Sequence, residues 1–106
     1  MLQEATKDID AVGDIRGRGF FQAIELVADR KTKTPFDGGK KLFMKIRARA
    51  FENGLICYPV GGNVDGINGD VVILAPPYNV TDAELTEIVD KTASSIRQVL
   101  KAEGLA

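Results

Sequence analysis

From Thr81 to Leu100, Leu85, Ile88, Val89, Thr92, Ile96, Val99 and Leu100 recur at the spacing of one helical face. Thr81 and Glu84 stand three apart, the spacing of a capping box, and Asp82 adds negative charge at the positive helix end. About 20 residues of helix run roughly 30 Å, and Gly104 closes the segment. A helix with one apolar stripe has to bury that stripe against another layer, so the rest of the chain must supply it.

Strand-like runs provide that layer. Phe20–Val27 is apolar and β-prone, broken by Gln22 and Glu25. Leu55–Tyr58 reads as a short strand stopped by Pro59, and Asp70–Ala75 as another ended by Pro76-Pro77. Lys40–Asn53 carries Leu42, Phe43, Ile46 and Ala50 on one helical face, with Gly54 placed for a left-handed C-cap. Arg16-Gly17-Arg18-Gly19 is expected to turn an edge strand into the central one. Asp29–Gly39 and Gly61–Gly69 are loops by composition, and four of the nine residues of the second are glycine. Leu2, Ala5 and Ile9 share a stripe too short for an independent helix, which reads as the end of a linking helix over residues 1–11. The expected fold class is α+β, a two-layer domain over 12–106 with a small, mainly antiparallel sheet covered on one face by two helices.

Several chemistries are disfavoured. The chain has 106 residues, enough for one core. The net charge of −1 gives no broad attraction for nucleic acid or an anionic membrane. No apolar run approaches the roughly 18–20 residues of a membrane span, and Met1–Asp10 lacks a signal peptide's apolar centre, so the expected location is cytoplasmic. There is no histidine, and Cys57 is a lone cysteine in an apolar run, read as a small buried hydrophobe.

Four motifs bear on chemistry. Gly17-x-Gly19 begins like a dinucleotide fingerprint, but Gln22 takes the third glycine's place and a strand follows instead of a helix. Asn63-x-Asp65 begins like a calcium loop, but Ile67 and Asn68 occupy ligand and glycine positions and Leu74 the terminal glutamate's, so no metal is expected. Asp14 with Arg16 or Arg18 could hold a carboxylate; a solvated or locally paired edge needs no ligand. A Schiff-base lysine needs a desolvated pocket or cationic neighbour, and every lysine here falls in a polar loop or off an apolar helix face.

Val12-Gly13-Asp14-Ile15-Arg16-Gly17-Arg18-Gly19-Phe20-Phe21-Gln22-Ala23-Ile24-Glu25-Leu26, then Gly54–Pro59, then Asp70–Pro77 with the closing helix, resemble in order the C-terminal small domain of class III aminotransferases, and especially their ω-transaminase branch. The resemblance implies a fold-type I enzyme that moves an amino group through pyridoxal phosphate. It implies a homodimer acting on small amines or amino acids and oxo acids. It also implies a large domain that carries the lysine and acidic motifs; these are absent here, so no catalytic or cofactor-binding residue is assigned to this chain and the polypeptide alone is expected to be inactive. Tyr58, Gly66 and Ile73 become substrate-pocket candidates, and Arg16, Gly17, Arg18 and Gly19 candidates for an interdomain turn. Some members hold a substrate carboxylate with an arginine where this chain has Ile73, and another branch with one near Gly66–Gly69. Both departures tell against α-carboxylate recognition by this domain and fit an amine, a diamine, or a substrate held by a residue outside this chain. The alternative is a free-standing ligand-binding or dimerisation module, which the character of the uncovered sheet face would distinguish.

Overall fold

The computed structural model describes residues 2–18, 21–36, 40–54, 58–62, 69–75 and 80–105, with the side chains of Arg18, Phe21 and Tyr58 outside that description. Its elements run α1 (Leu2–Ala5), β1 (Val12–Arg18), β2 (Phe21–Leu26), α2 (Leu42–Glu52), β3 (Tyr58–Gly61), β4 (Asp70–Leu74) and α3 (Asp82–Ala102). The four strands form one sheet in the order β1-β2-β4-β3, and every neighbouring pair is antiparallel. The α+β two-layer expectation holds.

The register explains which face the helices cover. Ile15 stands opposite Ile24, Ile24 opposite Val72, and Gln22 opposite Leu74, so the apolar residues among these share one face. They cluster with Leu42, Ile46 and Ala50 of α2 and Val89, Ile96, Val99 and Leu100 of α3. Ile24, Leu42 and Ile96 are fully buried there.

Local signals fix the helix ends. Thr81 accepts the Glu84 amide at 3.1 Å while the Glu84 carboxylate accepts the Thr81 amide at 3.1 Å, a reciprocal capping box. These bonds from Thr81 hold the Glu84 carboxyl below its ordinary value. Gly54 takes φ +83 directly after α2, and its amide reaches the Phe51 carbonyl at 3.0 Å. The buried stripe of α3 starts later than its periodicity suggests. Leu85 and Ile88 are only partly covered, and full burial begins at Val89. Residues 2–11 join the same core through Leu2, Ile9 and Ala11. Arg97 of α3 ties them down, donating to the Ala5 carbonyl and to Asp8 at 2.7 Å. That hydrogen bond is the main cause of the lowered Asp8 pKa.

Two boundaries differ from expectation. Arg16, Gly17 and Arg18 are strand residues paired with Ala23, Gln22 and Phe21, and the chain reverses only after Arg18. Alternation of charged residues with glycine reads as a turn by composition, whereas here Arg16 pays no penalty on an open sheet face. The strand expected to stop at Pro59 continues from Tyr58 through Pro59 to Gly61, since β3 lies at the sheet edge, where a missing N–H is tolerated. Gly19, Leu55, Ile56 and Cys57 lie outside the described residues.

Candidate functional site

The face turned away from α2 and α3 has two characters. On β1 and β2, Arg16 Nη1 donates to Asp14 Oδ2 at 3.1 Å and to Glu25 Oε1 at 2.9 Å. Glu25 first, then Asp14, raises the guanidinium pKa further above its ordinary value. An arginine held by two carboxylates is a poor clamp for a third, so the locally paired reading of Asp14 and Arg16 prevails over the carboxylate clamp. On β4 and β3 the same face is apolar. Val71 stands opposite Val60, and Ile73 opposite Tyr58. Val71 is buried, Ile73 partly so, and Val60 is 42% exposed.

One row of the register runs Arg16, Ala23, Ile73, Tyr58. Strand spacing of about 4.8 Å puts the Arg16 and Ile73 backbones about 10 Å apart. The structure therefore pairs two of the expected pocket residues, Tyr58 and Ile73, on adjacent strands. Gly66 lies outside the described residues, as does the calcium-like segment at 63–68. Among the described residues, no group of three or more Asp, Glu or Cys is placed to hold a metal ion. An open cleft of about 340 Å³ lies at the opposite sheet edge, between α1 and β1, lined by Gln3, Thr6, Lys7, Val12 and Arg30 among others. Its cations are engaged: Lys7 with Glu4 at 2.7 Å, and Arg30 with the Ile9 carbonyl at 2.7 Å.

At the start of β4, Asp70 has a role that the sequence did not reveal. The α2 N-cap, Lys41, adopts φ 49 and offers no side-chain cap. Asp70 supplies the acceptor from β4 instead, its Oδ1 taking the Phe43 amide at 3.0 Å. Gly61 stands opposite Asp70 and lies against the Phe43 ring, leaving no room for a Cβ. Asp70 is 3% exposed, and this burial raises its pKa, outweighing the Phe43 amide bond that lowers it. A raised folded-state pKa means that the native state binds this proton more tightly than the unfolded chain. The contribution is complete below the ordinary value of 3.8 and is lost as pH rises through the folded value. Asp70→Asn keeps an acceptor and cannot ionise. Urea midpoints measured across the acidic range should therefore show wild type losing stability relative to this variant as pH climbs from 3.8; parallel profiles would refute the assignment.

The lysines follow one pattern. Lys7, Lys31, Lys33, Lys40, Lys41, Lys45 and Lys101 are exposed, and Lys91 is partly covered and bridged to Glu87 at 2.6 Å. No described helix is long and apolar enough to cross a membrane.

Relatives carry the same architecture. The family model for class III aminotransferases matches residues 1–96. Aminotransferase YodT of Bacillus subtilis is 35% identical over 105 residues, which is 96% of this chain and 24% of that protein. An adenosylmethionine-8-amino-7-oxononanoate aminotransferase of Methanocaldococcus jannaschii is 35% identical over 92 residues, covering 87% and 18%. Among solved structures, a transaminase from the marine bacterium Virgibacillus superposes with TM-score 0.88 at 25% identity, over 97% of this chain and 22% of that one. An ω-aminotransferase from Paracoccus denitrificans gives 0.82 at 31%, over 95% and 21%. The chain thus spans about a fifth to a quarter of the length of these proteins. With the family model matched over residues 1–96 and relatives 35% identical across most of the chain, the chain belongs to the class III aminotransferases.

Proposed function

We propose that this chain acts as the small domain of a pyridoxal-phosphate-dependent aminotransferase, with the uncovered sheet face turned toward a large domain that holds the cofactor. The observation that carries this reading is the combination of a family match over residues 1–96 with coverage of only 24% of YodT. The uncovered sheet face is mixed, with Val60 exposed beside the buried Val71 and the partly buried Ile73. The cofactor, where bound, serves as electron sink for amino transfer. The described residues do not fit it, since none of the lysines is buried, and no step is routed through this chain.

Its own residues bear on substrate selection. Ile73 and Tyr58 present an apolar side chain and a ring-bearing residue at neighbouring register positions, while Arg16 is already neutralised by Asp14 and Glu25. This arrangement supports an amine or diamine donor over one held here by its α-carboxylate. Arg16, Gly17, Arg18 and Gly19 then border the interdomain contact, and the assembled protein works as a cytoplasmic homodimer.

The purified polypeptide, mixed with pyridoxal phosphate and treated with borohydride, should show by intact mass no stoichiometric adduct on a single lysine, and no transfer from an amine to an oxo acid. A one-to-one adduct at one lysine, or turnover free of contaminants, would defeat the proposal.

A further inference from the structure

Asn53-Gly54 closes α2, and it is also a pair that can react with itself. Asparagine is thermolabile because the next backbone nitrogen can attack its side-chain carboxamide, and glycine, without a Cβ, obstructs that attack least. Three features of the fold stand against the reaction. The Asn53 backbone has ψ 3. Ring closure needs the Gly54 nitrogen nearly eclipsed with the Asn53 Cβ, and this ψ turns it well away. The Gly54 amide donates to the Phe51 carbonyl at 3.0 Å, a bond that rotation into the reactive geometry breaks. The carboxamide itself is anchored on α3, Nδ2 donating to Ser95 Oγ at 3.0 Å and to Gln98 Oε1 at 3.1 Å. Gly54 is nonetheless exposed, so water has access as soon as this end of α2 opens.

We propose that Asn53-Gly54 is a site of spontaneous hydrolytic modification that the α2–α3 seam holds closed, and that its conversion to aspartate or isoaspartate irreversibly loosens that seam. The Gly54 nitrogen, its proton lost to base, bonds to Asn53 Cγ; the Cγ–Nδ2 bond breaks and ammonia leaves. Water then opens the five-membered imide at either carbonyl, giving aspartate or isoaspartate, and no oxidant or reductant takes part. Neither product can rebuild the seam. Ser95 already donates its hydroxyl proton to the Lys91 carbonyl at 2.7 Å, so its oxygen is left to accept, as is Gln98 Oε1. A carboxylate offers them no proton, and its charge falls at the negative end of the α2 dipole. Isoaspartate also adds a backbone methylene, which displaces the left-handed Gly54. Opening of the α2 end is thus a gate, and passage through it is one-way.

The test uses the chain with Asn68→Gln, which removes the second Asn-Gly pair. It is held at mildly alkaline pH and followed by tandem mass spectrometry for the mass gained when oxygen replaces NH at residue 53. Conversion in native buffer should be slower than in urea by about tenfold or more, the protection expected from hydrogen bonds that must open together. Gln98→Ala and Ser95→Ala should each speed conversion in native buffer and leave the rate in urea unchanged. Asn53→Asp should lower the urea midpoint. Equal rates folded and unfolded, native rates indifferent to the α3 substitutions, or an unchanged midpoint for Asn53→Asp would each overturn the proposal. Gln98 is exposed, so its variant tests the gate even where Ser95→Ala fails to fold.

Discussion

Replacing Ile24 with alanine is expected to lower folding stability by about 2–5 kcal/mol, read from the shift of a urea or guanidinium midpoint. Ile24 is fully buried on the central strand β2, between Ile15 of β1 and Val72 of β4 in the register. It points into the cluster formed with α2 and α3, so the deleted carbons leave a void walled by both layers. Neighbours on three elements would all have to move to fill it, and a β-sheet with pairs on both sides of the strand relaxes poorly. A domain of this size has about 5–15 kcal/mol in total, so the variant sits near the edge of folding. Phe51→Ala removes a larger side chain that is 70% exposed, and it should shift stability by no more than about 0.5 kcal/mol. Similar losses for the two variants would mean that the helix layer does not cover this face of the sheet.

The second large effect is expected at Gly13. Gly→Ala ordinarily helps by about 0.4–1 kcal/mol through the unfolded chain, but overpacking costs about 1–3 kcal/mol, for an expected net loss of about 1–2 kcal/mol. Gly13 lies where the β1–β2 register shifts, and a Cβ there would stand 2.7 Å from both γ-carbons of Val27. Val27 cannot easily yield. It is β-branched and 1% exposed, and its amide is held by the Ala11 carbonyl at 2.6 Å. The measurement is a double-mutant cycle: Gly13→Ala combined with Val27→Ala should cost less than the sum of the single changes. Strict additivity would show that the glycine is there for another reason.

Much of this architecture was legible in the sequence, for local reasons. Thr81 and Glu84 satisfy each other within three residues, and Gly54 closes α2 with one dihedral, so neither depends on distant structure. The pairing of Tyr58 with Ile73 became available only with the register, although both residues stood out individually. Arg16 was ambiguous because its decisive partner, Glu25, is nine residues away across a hairpin. Pro59 misled because a proline stops a central strand but not an edge strand, and edge status is a property of the whole sheet. From the sequence, Asp70 is simply the first residue of a strand. Nothing in its neighbours indicates that its carboxylate serves a helix 27 residues earlier in the chain.

That long-range cap bears on the order in which the molecule assembles. A helix whose first turn borrows its acceptor from a strand cannot complete its start before that strand has arrived, and closing so wide a loop is slow compared with winding a helix. The beginning of α2 should therefore be a late folder, and the Phe43 amide should surrender its deuterium protection together with the sheet, not with the rest of its own helix.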